Sequence, residues 1–202
     1  MPELSVPELA APELAVTLGQ TIGPFFGYAL PYPGDRELAL RGSADAVRLH
    51  GYVYDGEGNG VEDALLEVRQ ADASGAVPAV PGSLRRGGAP FTGWGRAATD
   101  ADGHYWFSTV EPGPARAGSA PFFAVAVFAR GLLDRLFTRI YLPADPAVLD
   151  SDPLLASLEA GERRAMVAVR EADGSLRFDV HLQGPGETPF LTFRSIPERG
   201  EE

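Results

Sequence analysis

The apolar positions of this chain are spaced for strands far more often than for helices. The densest apolar stretch is Ala120-Pro-Phe-Phe-Ala-Val-Ala-Val-Phe-Ala-Arg130, ended by Gly131. Read as a strand, it places Phe122, Ala124, Ala126 and Phe128 on one face and Phe123, Val125, Val127 and Ala129 on the other. Both sets are apolar, which predicts a central strand buried on two sides.

The remaining elements are expected around it. Val47 to Tyr54 alternates as a strand, Asp55-Gly-Glu-Gly-Asn-Gly60 is a turn, and Ala64 to Arg69 returns, which together predict a β-hairpin. Further strands are expected at Gly95 to Thr99, Tyr105 to Val110, Leu136 to Leu142, Ala165 to Glu171 and Ser175 to Leu182. Asp173-Gly174 marks the clearest two-residue hairpin turn. One short helix is expected near Pro153 to Ala160, with Ser151 or Asp152 as its cap, proline at its first position and Gly161 after its end. Residues 76–93 read as a long irregular loop of the kind that borders a site or an interface. The fold expected is all-β: a β-sandwich of about eight strands with one short helix and an extended N-terminal arm.

Pro-Glu-Leu recurs at Pro2, Pro7 and Pro12, and proline at every fifth residue favours extended chain. Residues 1–17 are therefore expected to form a flexible arm, and 18–202 a single sandwich domain. The 24 glycines and 18 prolines supply the turns such a fold needs. A formal net charge of −11 argues against nucleic acid or an anionic membrane as partner. The absence of cysteine excludes disulfides, zinc ribbons, iron–sulfur clusters and thiol catalysis. With no long apolar run and no basic, apolar leader visible, the expected location is the cytoplasm.

Few catalytic options remain. His50, His104 and His181 are far apart in sequence, and each is expected to have an ordinary polar partner rather than a metal. Neither a phosphate-binding glycine loop nor a nucleophile elbow occurs. Asp100/Asp102 and Asp55/Glu57/Asn59 are pieces of calcium-loop patterns without the closing glutamate, so turn chemistry accounts for them.

Several blocks in order carry a resemblance. They are Gln20-Thr-Ile-Gly-Pro-Phe-Phe26, Val53-Tyr-Asp-Gly56, Glu67-Val-Arg-Gln-Ala-Asp-Ala73, Thr99 to Pro114 and Phe128-Ala-Arg-Gly131. From about Gln20 to Phe193 the chain resembles the intradiol ring-cleavage dioxygenases, and among them the α-type subunits. The resemblance implies a β-sandwich and a catechol-type aromatic diol as substrate. It also implies ferric iron, held in the catalytic subunits by two tyrosines and two histidines. Carried over residue by residue, those ligand positions fall at Val77, Ala115, Phe122 and Ala124, none of which can bind a metal. A tryptophan often stands where this chain has Arg69.

The resemblance thus implies an iron-free chain that pairs with an iron-bearing β subunit of the same fold, with Fe(III) held by that partner. This chain's contribution to the shared cleft would be Thr21, Gly23, Pro24 and Arg130 as substrate-binding groups, with no catalytic residue of its own. Physically, Gly23-Pro24 lets backbone approach a ring closely, and a guanidinium complements a carboxylate. Without the resemblance, Gly23-Pro24 reads first as a turn, and Arg130 as a solvated strand end or a partner for an acidic side chain. A stand-alone sandwich module that has lost the site is the competing expectation.

Overall fold

The computed structural model describes residues 30–79 and 91–193; the expected arm 1–17 lies outside them. Nine strands and three short helices occur among the described residues. They are β1 (Val47–Tyr54), β2 (Leu65–Gln70), β3 (Trp94–Ala98), β4 (His104–Thr109), β5 (Phe122–Phe128) and β6 (Leu136–Tyr141), then α1 (Pro146–Asp150), α2 (Pro153–Ala156), α3 (Ala160–Ala165), β7 (Val169–Arg170), β8 (Leu176–Arg177) and β9 (Val180–His181). One sheet has the order β4-β1-β8-β7, with β9 also on β1; the other has the order β3-β2-β5-β6. The sheets stack through the inward residues of alternating strands. Leu49, Val53, Tyr105 and Phe107 from the first meet Leu66, Val68, Phe123, Val125, Val127 and Ile140 from the second. Burying a side chain such as Phe123 contributes about 1.5–3 kcal/mol, so this apolar layer is the main stabilising term. No helix among the described residues is long and apolar enough to cross a membrane.

The all-β sandwich expected from the pattern is present, with five differences in detail. β1 and β2 do not form a hairpin. The turn after β1 does close locally, since the Val61 N–H donates to the Val53 carbonyl at 2.8 Å. Asp63 then adopts a left-handed backbone (φ 63°), which turns the chain out of that sheet and into the other. β5 is buried on one face only: Phe123, Val125 and Val127 face the core, whereas Phe122, Ala124, Ala126 and Phe128 are half-buried on the outer face.

The expected helix is shorter, ending at Ala156, and lies between two others. Its cap is Asp152, whose carboxylate accepts from the Leu154 and Leu155 N–H groups. Because α3 continues to Ala165, the next strand shrinks to Val169–Arg170.

The strand expected over Ser175 to Leu182 is split into β8 and β9, and the cause is visible. The Phe178 N–H donates to the His50 carbonyl at 2.8 Å, while the Phe178 carbonyl turns inward to accept from the Tyr105 hydroxyl at 2.6 Å. Asp179 substitutes for a strand carbonyl by accepting from the Tyr52 N–H at 3.1 Å. This crossing needs bare backbone at Gly51, where an added Cβ would lie 1.8 Å from the Phe178 oxygen.

Candidate functional site

Four positions far apart in sequence converge on one pocket. Val77, Ala115, Phe122 and Ala124 line it together with Arg69, Gln70, Ala71 and Gly113, around a volume of about 190 Å³. Phe122 and Ala124 reach it because side chains two apart on a strand share a face, here the outer face of β5. Val77 follows the turn after β2, and Ala115 follows the exit from β4.

That turn is organised by Asp72. Its carboxylate accepts from the Ser74 N–H (2.9 Å), the Ser74 hydroxyl (2.7 Å) and the Ala76 N–H (3.0 Å). Those bonds, the Ser74 hydroxyl's first, hold the Asp72 carboxyl below its ordinary pKa. The β4 exit docks against the turn backbone to backbone, with the Gly113 N–H donating to the Asp72 carbonyl at 2.8 Å. Side chains on Gly75 or Gly113 would lie 2.3 Å from the Pro114 carbonyl or 2.5 Å from the Ala73 carbonyl, so the contact depends on both glycines.

Around the pocket the outer face of the second sheet is set by register. Ala124 lies between Arg69 of β2 and Arg139 of β6, and Phe122 lies beside Tyr141. The Arg139 guanidinium sits 4.1 Å from the centre of the Phe122 ring and donates to the Tyr141 hydroxyl at 3.0 Å. Burial pushes the Tyr141 pKa up to about 12, so at neutral pH the phenol keeps its proton and donates it to Asp152 at 3.0 Å. Asp152 also accepts from the Ala120 N–H at 3.1 Å, which ties the entry of β5 to the helices. Gln70 is spent internally: its amide N–H groups donate to the Ala71 and Val110 carbonyls, and its oxygen accepts from Thr109.

This donor set does not fit ferric iron. The four converging side chains are hydrocarbon, Arg69 is a permanent cation, and the Gln70 amide is already satisfied. Among the described residues, no three histidine, cysteine or carboxylate side chains lie close enough together to hold a metal ion. The histidines are elsewhere, on the outer face of the first sheet. His50 pairs with Glu171 at 2.9 Å, His104 lies 3.7 Å from Asp100, and His181 stacks on Tyr54. Burial holds His104 below its ordinary pKa, partly offset by Asp100.

Arg130 is not part of the pocket. It lies beyond the far end of β5, whose last residue, Phe128, is a strand rise of about 20 Å from Phe122. Its Nη2 donates to Glu62 at 3.0 Å and its Nε lies 3.4 Å from Asp63, with the side chain 51% exposed. Glu62 and then Asp63 hold the guanidinium firmly protonated. With Glu62, Leu132 and Gln183 it borders a second, wider cleft of about 480 Å³. Thr21, Gly23 and Pro24 lie outside the described residues. The structure therefore brings the four expected ligand positions together and sets Arg130 apart from them. Local sequence does not point to Arg139, because only the β5–β6 register puts it beside Ala124.

No family model matches the chain. It is 38% identical over 191 residues to the protocatechuate 3,4-dioxygenase alpha chain of Burkholderia cepacia, an overlap of 87% of this chain and 96% of that one. The beta chain from the same organism is 31% identical over 162 residues, covering 72% of this chain and 67% of the other. Among solved structures, the dioxygenase domain of a carbohydrate-binding fusion protein from Streptomyces sp. SirexAA-E superposes with a TM-score of 0.57 at 24% identity. That match covers 74% of this chain and 88% of the domain, and it bears on the fold alone. Identity of that depth over nearly the whole of an alpha chain, on a shared sandwich, settles the relationship: the chain belongs to the intradiol ring-cleavage dioxygenases, as a member of alpha-chain type.

Proposed function

We propose that this chain is the non-catalytic, iron-free α subunit of a protocatechuate 3,4-dioxygenase. It pairs with an iron-bearing β subunit and completes the cleft in which 3,4-dihydroxybenzoate and O2 give 3-carboxy-cis,cis-muconate. The observation that carries this reading is the pocket at Val77, Ala115, Phe122 and Ala124: the four positions that the family resemblance assigns to the metal ligands converge, and all four side chains are hydrocarbon. The similarity to both an alpha and a beta chain supports an αβ pair built from two copies of one fold. In this reading Fe(III) belongs to the β subunit, and the pair resides in the cytoplasm.

This chain's own part is positioning. Thr21, Gly23 and Pro24 would bring bare backbone against the substrate ring, and Arg130 would meet its carboxylate. Arg130 suits that task in two respects. Glu62 and Asp63 fix its orientation, and the rest of its five N–H donors stay available at a half-exposed tip. The same carboxylates offset its charge, so its contribution is mainly a directed hydrogen bond. Arg130→Ala in the assembled pair is expected to lower kcat/KM about tenfold, mostly through KM, as read by O2 uptake with 3,4-dihydroxybenzoate. Unchanged kinetics would remove Arg130 from the cleft. A chain that stays monomeric when co-expressed with a β-type subunit would instead be a stand-alone sandwich module.

A further inference from the structure

The walls of the pocket at Val77, Ala115, Phe122 and Ala124 enclose about 190 Å³. An apolar cavity of about 150 Å³ is enough to take up benzene, so one six-membered ring with a small substituent fits here. The charge at its edge sets it apart from a simple packing gap. Arg69 lines the pocket, is exposed, and has no carboxylate partner among the described residues. Arg139, on the other side of Ala124, is bonded to a neutral phenol and lies over the Phe122 ring, likewise without a carboxylate. Elsewhere Arg96, Arg130, Arg163 and Arg177 each hold an acidic side chain. In a chain of net charge −11, two guanidiniums that have no carboxylate partner among the described residues flank one apolar pocket and form a local anion-attracting spot.

We propose that this pocket is a second, non-catalytic binding site for a monocyclic aromatic carboxylate, with the ring against Phe122 and Ala124 and the carboxylate on Arg69. Arg139 stiffens the Phe122 wall and adds positive potential. The inference stands on the walls and charge of this chain and does not depend on a β-type partner.

The test is equilibrium dialysis of labelled benzoate against the full-length chain without any partner, so a failure of the pairing reading leaves it intact. One saturable site per chain is expected, displaced by unlabelled benzoate and not by equal concentrations of acetate. Arg69→Gln should weaken it about tenfold, the low end for losing a hydrogen bond to a charged group at an exposed position. Ala124→Leu, which fills the pocket, should abolish it. Should Ala124→Leu fail to fold, the exposed Arg69→Gln change decides alone. No saturable benzoate binding up to tens of millimolar, or binding that Arg69→Gln leaves unchanged, overturns the proposal.

Discussion

Asp152→Ala is expected to cost about 3–5 kcal/mol of folding stability. Asp152 is 1% exposed and its carboxylate accepts four hydrogen bonds, from the Leu154, Leu155 and Ala120 N–H groups and the Tyr141 hydroxyl. Loss of the helix cap alone accounts for about 0.5–2 kcal/mol. The remainder comes from the Ala120 N–H and the Tyr141 phenol left buried without acceptors, at about 1–3 kcal/mol each. Asp152→Asn should fall between wild type and Ala. One amide oxygen can serve the cap and Tyr141, but the amide nitrogen then confronts the Ala120 N–H, donor against donor. Urea unfolding of the three proteins gives the order directly. A loss below about 1 kcal/mol for Asp152→Ala would show that the helices are not what anchors the entry of β5.

Gly51→Ala is expected to cost about 3 kcal/mol or more, although it adds a single methyl. That methyl would lie 1.8 Å from the Phe178 carbonyl oxygen, and the obstacle is backbone rather than a side chain that can rotate away. Relief requires β8 and β9 to move off β1, which breaks the bonds at His50 and Tyr52 and strips the Phe178 carbonyl of the Tyr105 hydroxyl. Tyr105→Phe isolates the last of these effects and should cost about 1–3 kcal/mol, the range for a buried carbonyl left without its donor. If Gly51→Ala unfolds within about 1 kcal/mol of wild type, the crossing at Phe178 is looser than its geometry implies.

Which parts of this arrangement were legible in the sequence follows from how local each cause is. Strand β1, the turns at Asp100–Gly103 and Asp173–Gly174 and the cap of α2 depend on neighbours within a few residues, and all are where the pattern places them. The β1–β2 hairpin failed because a turn signal says only that the chain reverses. Whether the returning strand stays in the same sheet was decided by one left-handed residue, Asp63. The pattern of β5 predicts two core faces, yet Phe122, Ala124, Ala126 and Phe128 face outward, and the first two line a pocket instead of packing against the other sheet. Gly51 sat within a strand pattern, a known sign of close backbone approach, but the approaching residue, Phe178, is over a hundred positions away.

The candidate site shows the same division. Local pattern does not connect Val77, Ala115, Phe122 and Ala124; the family resemblance named them, and the docking of the Asp72 turn against Gly113 brings them together. In the sequence, Arg69 stands out only as a departure from the family's usual tryptophan. Its pairing across Ala124 with Arg139 required the register of three strands.

The most direct test of the account is the iron content of the assembled pair. The chain would be purified alone and with a β-type subunit, and each preparation analysed for iron per chain and for O2 uptake with 3,4-dihydroxybenzoate. The account predicts one iron per αβ pair, none in this chain alone, and substrate-dependent O2 uptake only when both chains are present. Stoichiometric iron in the isolated chain, or full activity of the β-type subunit without it, would contradict the account.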